Sequence, residues 1–293
     1  MIYAVIVTFY PNTDTVANLL HLLAPQLNGI IIIDNTPSER VIDMGDIGSD
    51  ISVVNLGENV GISRAQNIGI KLAEARGATD VILFDQDSLP SLSLIEDLLT
   101  ARDQAINDGI DVAAVGPVHY DIDNRVPSKF LRTAKYNINL IPPDFTSAYL
   151  RADFIIASGS LISIPSIKEV GYMDETLFID CVDIEWGFRA LKCNKICIAA
   201  QYASMDHKIG DKPIVIFGRQ ITTHIPIRHY YFFRNVMLLM KRDYIPIAWK
   251  LHVFPKAIVQ FFIFSTLLKP RFLHFKYGLK GFIHGFFGRS GAL

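Results

Sequence analysis

The sequence predicts an α/β protein with a mostly parallel sheet covered by helices on both faces, followed by a helical C-terminal extension. Three observations predict it. Short apolar runs alternate with helical patterns over residues 1–118. One of them, Val81–Phe84, has the composition of a strand buried on both faces. From Tyr230 onward the chain turns aromatic, basic and apolar at once. Half of the 293 residues are hydrophobic and 19% are charged, which supplies a substantial core and argues against global disorder.

The elements follow in order. Strands are predicted at Ala4–Thr8, Ile30–Asp34, Ile51–Asn55, Val81–Phe84 and Val112–Val115, with helices near Thr13–Leu23, Ser63–Arg76 and Ser91–Asn107. Ser63 is expected to cap the second helix and Gly77 to end it. Residues 119–153 are less periodic and read as a long excursion. The run "DFIIASGSLISIP" reads as a strand interrupted by Ser158-Gly159-Ser160, either a kink for close substrate approach or a plain bulge. A helix is expected from about Asp183 to Cys193, and a strand at Ile196–Ala200.

The formal net charge of −1 gives no general case for nucleic acid as a partner. Cys181, Cys193 and Cys197 make an odd count, which suits a reducing compartment and packing roles rather than zinc binding. The N-terminal "MIYAVIVTFYP" has no basic region and no small-residue cleavage site, so it reads as a first strand of a cytoplasmic protein.

In open parallel sheets, ligands bind beyond the carboxyl ends of the strands. Asp34, Asp85 and Asp87 all fall at predicted strand ends. If the strand through Phe84 continued, Asp85 and Asp87 would point to one side. Three chemistries compete for that pair. The acids are turn and capping residues; or Asp85 is an aspartyl nucleophile, as in haloacid dehalogenase-like phosphatases; or the pair holds a hard divalent cation against a diphosphate. The phosphatase pattern lacks its later acidic motif here, and neither GxGxxG nor GxxxxGK[ST] occurs.

Taken with "VTFYP", "IDN", "NVGISRAQNIGIKLA" and "FDQDS", the N-terminal two thirds resembles the family-two inverting glycosyltransferases of the GT-A fold. The resemblance implies that Thr8, Phe9 and Asp34 hold the nucleotide and sugar. It implies that Asn59, Gly61, Ala65, Asn67 and Gly69 shape the donor-site floor, with Arg64 near phosphate. Asp85 and Asp87 would hold Mg²⁺ or Mn²⁺ and the donor diphosphate. In "LFIDCVDIEWGFRA", alignment on Arg189 puts the family's general base at Asp183, although Val182 stands where an acid is usual. Helix N-capping is the plain alternative for Asp183.

Glu185 and Arg189 are four apart and read as a structural pair. Ser158, Gly159, Asp180, Trp186, Arg228 and Arg234 are candidates for the acceptor side, and His207 for a further metal ligand. Residues 1–118 would bind the nucleotide sugar, 119–225 the acceptor, and 226–293 a membrane or an oligomeric partner. The resemblance is greatest to bacterial rhamnosyltransferases of O-antigen assembly, which implies dTDP-L-rhamnose as donor and a lipid-linked saccharide as acceptor. The remaining alternative is a non-catalytic sugar-nucleotide-binding or scaffold protein.

The apolar stretch Ala257–Leu268 is twelve residues, short of the ~20 needed to span a bilayer. With the flanking lysines, arginines and aromatic residues, it reads as helices lying on the cytoplasmic face of an anionic membrane.

Overall fold

The computed structural model describes residues 1–38, 50–122, 125–207, 214–216 and 219–293, with the side chains of 207, 214–216 and 219–221 outside that description. Chain order gives β1 (Ile2–Thr8), α1 (Thr13–Leu23), β2 (Gly29–Asp34), β3 (Ile51–Asn55), α2 (Ile62–Ala75), β4 (Asp80–Asp85), β5 (Leu89–Pro90), α3 (Leu94–Asn107) and β6 (Val112–Asp121). Then come β7 (Phe130–Thr133), β8 (Ile138–Ile141), β9 (Tyr149–Ala152), β10 (Ser160–Ser163), α4 (Ile164–Val170), α5 (Val182–Lys192) and β11 (Ile196–His207). Three helices close the chain: α6 (Pro226–Met240), α7 (Ile247–Leu267) and α8 (Arg271–Phe286).

The main sheet runs β3-β2-β1-β4-β10-β6-β11-β5, with β9 also paired to β11. Strands β3, β2, β1 and β4 are parallel neighbours, and β10 enters antiparallel between β4 and β6. Because β1 is central, Ala4 to Ile6 are fully buried, and one apolar cluster fills each face of the sheet. The Asn12 side chain caps α1 by accepting from the N–H groups of Asp14 and Thr15.

Several expectations change. Gly61, at φ 85°, precedes the first turn of α2, so Ser63 lies inside the helix and does not cap it. A Cβ at Gly61 would sit 2.7 Å from the carbonyl oxygen of Phe178, and one at Gly69 2.3 Å from Val5. These two glycines allow α2 to lie close to the sheet and to the segment that crosses it. Among the described residues of the 119–153 excursion, β6 continues to Asp121, β7 and β8 form a hairpin, and β9 joins the sheet. Strand β10 starts only at Ser160, because Gly159 at φ 82° turns the chain into it. The apolar stretch at 257–268 belongs to a 21-residue helix, α7, long and apolar enough to cross a membrane by length and composition.

Candidate active site

Parallel pairing aligns Thr8 with Asp34 and Val7 with Asp85, so the three predicted strand ends share one edge of the sheet. Asp34 is buried, and its Oδ1 accepts from the Thr8 hydroxyl at 3.0 Å and the Thr36 hydroxyl at 2.7 Å. Thr36 Oγ1 in turn accepts from the N–H of Tyr10. Phe9 and Tyr10 project from this braced turn, both exposed, with their rings edge to face at 4.7 Å. The Gln86 amide clamps Phe9 by accepting from its N–H at 2.8 Å and donating to its carbonyl at 3.3 Å. Exposed aromatic faces on a rigid turn suit a flat heteroaromatic ring.

On the next loop, Asn59 Oδ1 accepts from Asn35 Nδ2 at 2.9 Å and from the N–H of Gly61 at 3.0 Å. Arg64 stands exposed in the first turn of α2. Asn67 behaves differently from expectation. It is buried, its amide donates to Met173 O and Glu175 Oε1, and its oxygen accepts from the N–H of Met173. With its hydrogen-bonding groups so engaged, Asn67 ties α2 to the 173–178 segment and does not face a donor.

Strand β4 ends at Asp85, so Asp87 is carried on the turn that follows rather than on a continuing strand. Asp85 is half-buried and Asp87 exposed. The Ser88 N–H closes the turn onto Asp85 O at 3.3 Å. The buried hydroxyls of Ser88 and Ser158 are hydrogen-bonded at 2.6 Å, and Ser158 Oγ also accepts from the N–H of Asp85. His119 Nε2 lies 2.9 Å from the Ser158 carbonyl. Ser158 and Gly159 therefore shape the acidic turn, and the acceptor role expected of them gives way to a positioning one.

Beside this turn lies Asp183, in the first turn of α5. The cap position belongs to Cys181, in the left-handed region, which removes the capping explanation for Asp183. Its carboxylate accepts from the N–H groups of Ile184, at 2.8 Å, and Ala157. Gln66, Met173, Val182, Trp186 and Cys197 surround it across a cavity of about 20 Å³, room for roughly one water. Burial in this largely apolar shell pushes the Asp183 carboxyl up to about 6, against the opposing pull of its N–H donors. A carboxylate so placed is a proton acceptor poised near neutral pH.

The segment leading into Asp183 is held in an uncommon shape. Phe178, Asp180 and Cys181 all have positive φ, at 64°, 67° and 63°. Non-glycine residues there cost of order 1–3 kcal/mol each and persist where surroundings over-determine them. Asn235 does that from α6: its amide nitrogen donates to the carbonyls of Leu177, Ile179 and Asp180 at 2.9, 2.7 and 2.9 Å. Arg234, fully buried, reaches the carbonyls of Leu177 and Gly291, so it braces this segment from inside and contacts no acceptor. Trp186 is likewise buried, with its Nε1 donating to Gly171 O. Arg228 does stand at the rim, paired with Asp180 Oδ1 at 3.1 Å, while Asp180 Oδ2 is buried with no hydrogen-bond partner.

Glu185 is structural, as its spacing suggested. It is fully buried and binds Arg189 at 2.8 Å, Arg242 at 3.1 Å and the Tyr244 hydroxyl. Cys197 is buried with its thiol pushed up to about 12, an inert packing group. The side chain of His207 lies outside the described residues.

Residues 4–166, which span every strand end described above, match the sequence model of glycosyl transferase family 2. The chain belongs to glycosyl transferase family 2. It is 33% identical over 269 residues to the dTDP-rhamnosyl transferase RfbF of Shigella flexneri, across 91% of this chain and 88% of that relative. It superposes on GalNAc-T7 with UDP, GalNAc and Mn²⁺ at a TM-score of 0.59 and 12% identity, covering 98% of this chain but 56% of that one. Residues 1–349 of S. aureus TarS with UDP-GlcNAc give 0.59 at 14% identity, covering 97% and 81%. At such identities the structures speak for the fold, which is GT-A. The family match also removes the phosphatase reading, because Asp85 lies inside the matched glycosyltransferase region.

Among the described residues no group of three or more His, Cys, Asp or Glu gathers as a closed cation cage. Mg²⁺ and Mn²⁺ need no such cage, since one or two carboxylates plus substrate phosphate oxygens complete their shells. Asp85 and Asp87, oxygen donors on a turn pinned by Ser88 and Ser158, fit that requirement.

Proposed function

We propose that this glycosyltransferase moves L-rhamnose from dTDP-L-rhamnose to a saccharide acceptor carried on a lipid, with inversion at the anomeric carbon. The observation that carries the mechanism is the placement of Asp183, a carboxylate raised to about 6, next to the turn bearing Asp85 and Asp87. Thr8, Asp34 and the Phe9–Tyr10 turn take the thymine and deoxyribose end of the donor. Asp85 and Asp87 would hold Mg²⁺ or Mn²⁺, which when bound would supply positive charge beside the donor diphosphate. Asp183 accepts the proton of the acceptor hydroxyl as that oxygen attacks the anomeric carbon from the side opposite the phosphate. One displacement completes the transfer, so no covalent sugar–enzyme intermediate forms.

The donor assignment rests on the likeness to RfbF, and the residues alone do not select rhamnose. Asp180 and Arg228, at the rim on the approach to Asp183, face the acceptor. The test is a panel of nucleotide sugars with Mg²⁺ or Mn²⁺, read by binding and by release of nucleoside diphosphate. Preference for dTDP-L-rhamnose supports the proposal; preference for a UDP- or GDP-sugar overturns the donor assignment while leaving the family intact.

A further inference from the structure

Helix α8 turns most of its large apolar side chains outward. The buried side of α8 carries His274, Gly278, Gly281 and Gly285, spaced four, three and four residues apart. A Cβ at Gly281 would lie 2.5 Å from Tyr230 O, and one at Gly285 2.5 Å from Arg234 O, so α8 rests almost directly on the backbone of α6. The opposite side carries Phe272, Phe275, Leu279, Ile283 and Phe286, between 41% and 71% exposed. Ordinary soluble helices put the large apolar stripe inside and polar residues outside. This one does the reverse.

Helix α7 extends the same face. Its inward stripe of Ala257, Phe261 and Phe264 packs on Phe233 and Val236 of α6, leaving Leu251, Ile258 and Phe262 exposed. The Phe261 ring lies edge to face with Phe262 at 5.5 Å and tilted against Phe275 at 5.6 Å, so the exposed stripes of the two helices are neighbours. An apolar surface of this kind marks an interaction site.

Charge decides what covers it. From residue 244 to residue 293 there are seven lysines and arginines and no aspartate or glutamate. A second copy docked about a two-fold axis would bring this patch against itself and set like charges together. An anionic lipid surface complements it, with aromatic residues entering the acyl boundary and cations meeting headgroups. Although α7 is long enough to span, it carries Lys250, His252, Pro255 and Lys256, and its Trp249 is buried against Phe188 of α5. That anchorage keeps α7 beside the catalytic domain.

We infer that the outer face of α7 and α8 is a docking surface for an anionic lipid bilayer, on which the helices lie flat. This stands apart from the donor, the metal and the reaction. The test uses the full chain with phosphatidylcholine vesicles, alone or mixed with phosphatidylglycerol, in co-sedimentation at low and high salt. Solution mass is measured in parallel, and nucleotide binding serves as the folding check. The parent chain should bind the anionic vesicles, release as salt rises and ignore pure phosphatidylcholine. Arg271→Glu with Lys276→Glu should weaken binding about tenfold or more. Phe272→Ser with Leu279→Ser and Phe286→Ser should abolish it, with nucleotide binding retained in both. Failure of the correctly folded parent to bind anionic vesicles at low salt would overturn the inference. So would an outer-face variant that dissociates an oligomer while vesicle binding stays unchanged.

Discussion

The hydroxyl of Ser158 lies 2.6 Å from that of Ser88, and this hydrogen bond, with the one from the Asp85 N–H to the same oxygen, joins the two halves of the site. Ser88 follows Asp87 on the acidic turn, while Ser158 follows Ala157, whose N–H donates to Asp183. The spacing between Asp85 and Asp87, proposed above to hold the diphosphate, and Asp183, proposed as the proton acceptor, is therefore set by buried hydrogen bonds.

The raised Asp183 carboxyl predicts the pH profile. A base must be ionised, so kcat/KM should be level above about pH 6 and fall about tenfold per unit below it. An initial-rate profile at fixed donor checks this; a level profile down to pH 4.5 or so, about where an unshifted carboxylate titrates, would remove Asp183 as the titrating group.

The same shift predicts a stability effect of opposite sense to the usual carboxylate case. The folded state holds the Asp183 proton more tightly than the unfolded chain, so its contribution is present below about pH 4 and lost as pH rises through about 6. Asp183→Asn removes that loss. The variant should be more stable than the parent by roughly 3 kcal/mol at pH 7, with the gap closing towards pH 4. Denaturant midpoints at the two pH values measure it.

Asp87→Asn should weaken metal-dependent donor binding roughly tenfold or more, and a chelator should do the same to the parent. Calorimetric titration of donor with and without Mn²⁺ reads both. Unchanged affinity in metal-free buffer would make Asp87 a turn residue only.

Asn235→Leu leaves the carbonyls of Ile179 and Asp180 without this donor, at about 1–3 kcal/mol for each unsatisfied group, while Leu177 O keeps Arg234. The expected outcome is a lowered thermal midpoint and a kcat reduced more than donor affinity, because the 177–181 segment carries Asp183 into place. Equal losses in both would mean that Asn235 supports the fold without setting the site.

The strands of the first half were legible because they are continuous apolar runs with polar ends, and Asp34 and Asp85 fall at those ends as expected. Asp183 was legible only through family likeness, since its spacing fits a cap equally well. What the sequence hid depends on contacts distant along the chain. Nothing near Asn67 shows that its partners lie at Met173 and Glu175, and nothing near Asn235 points to residues 177–180. Arg234 reads as an acceptor contact in the sequence because an arginine among aromatic residues reads alike whether it faces solvent or, as here, interior carbonyls. The β7–β8 hairpin escaped notice because short, half-exposed strands leave little periodic pattern.

The central claim is that Asp183 takes the acceptor proton, and the most direct measurement is single-turnover transfer by Asp183→Asn with saturating donor and acceptor. The account predicts a rate lower by about 10²- to 10⁴-fold with donor affinity within a small factor of the parent. Transfer at near-parental rate by a folded, donor-binding Asp183→Asn protein would contradict it.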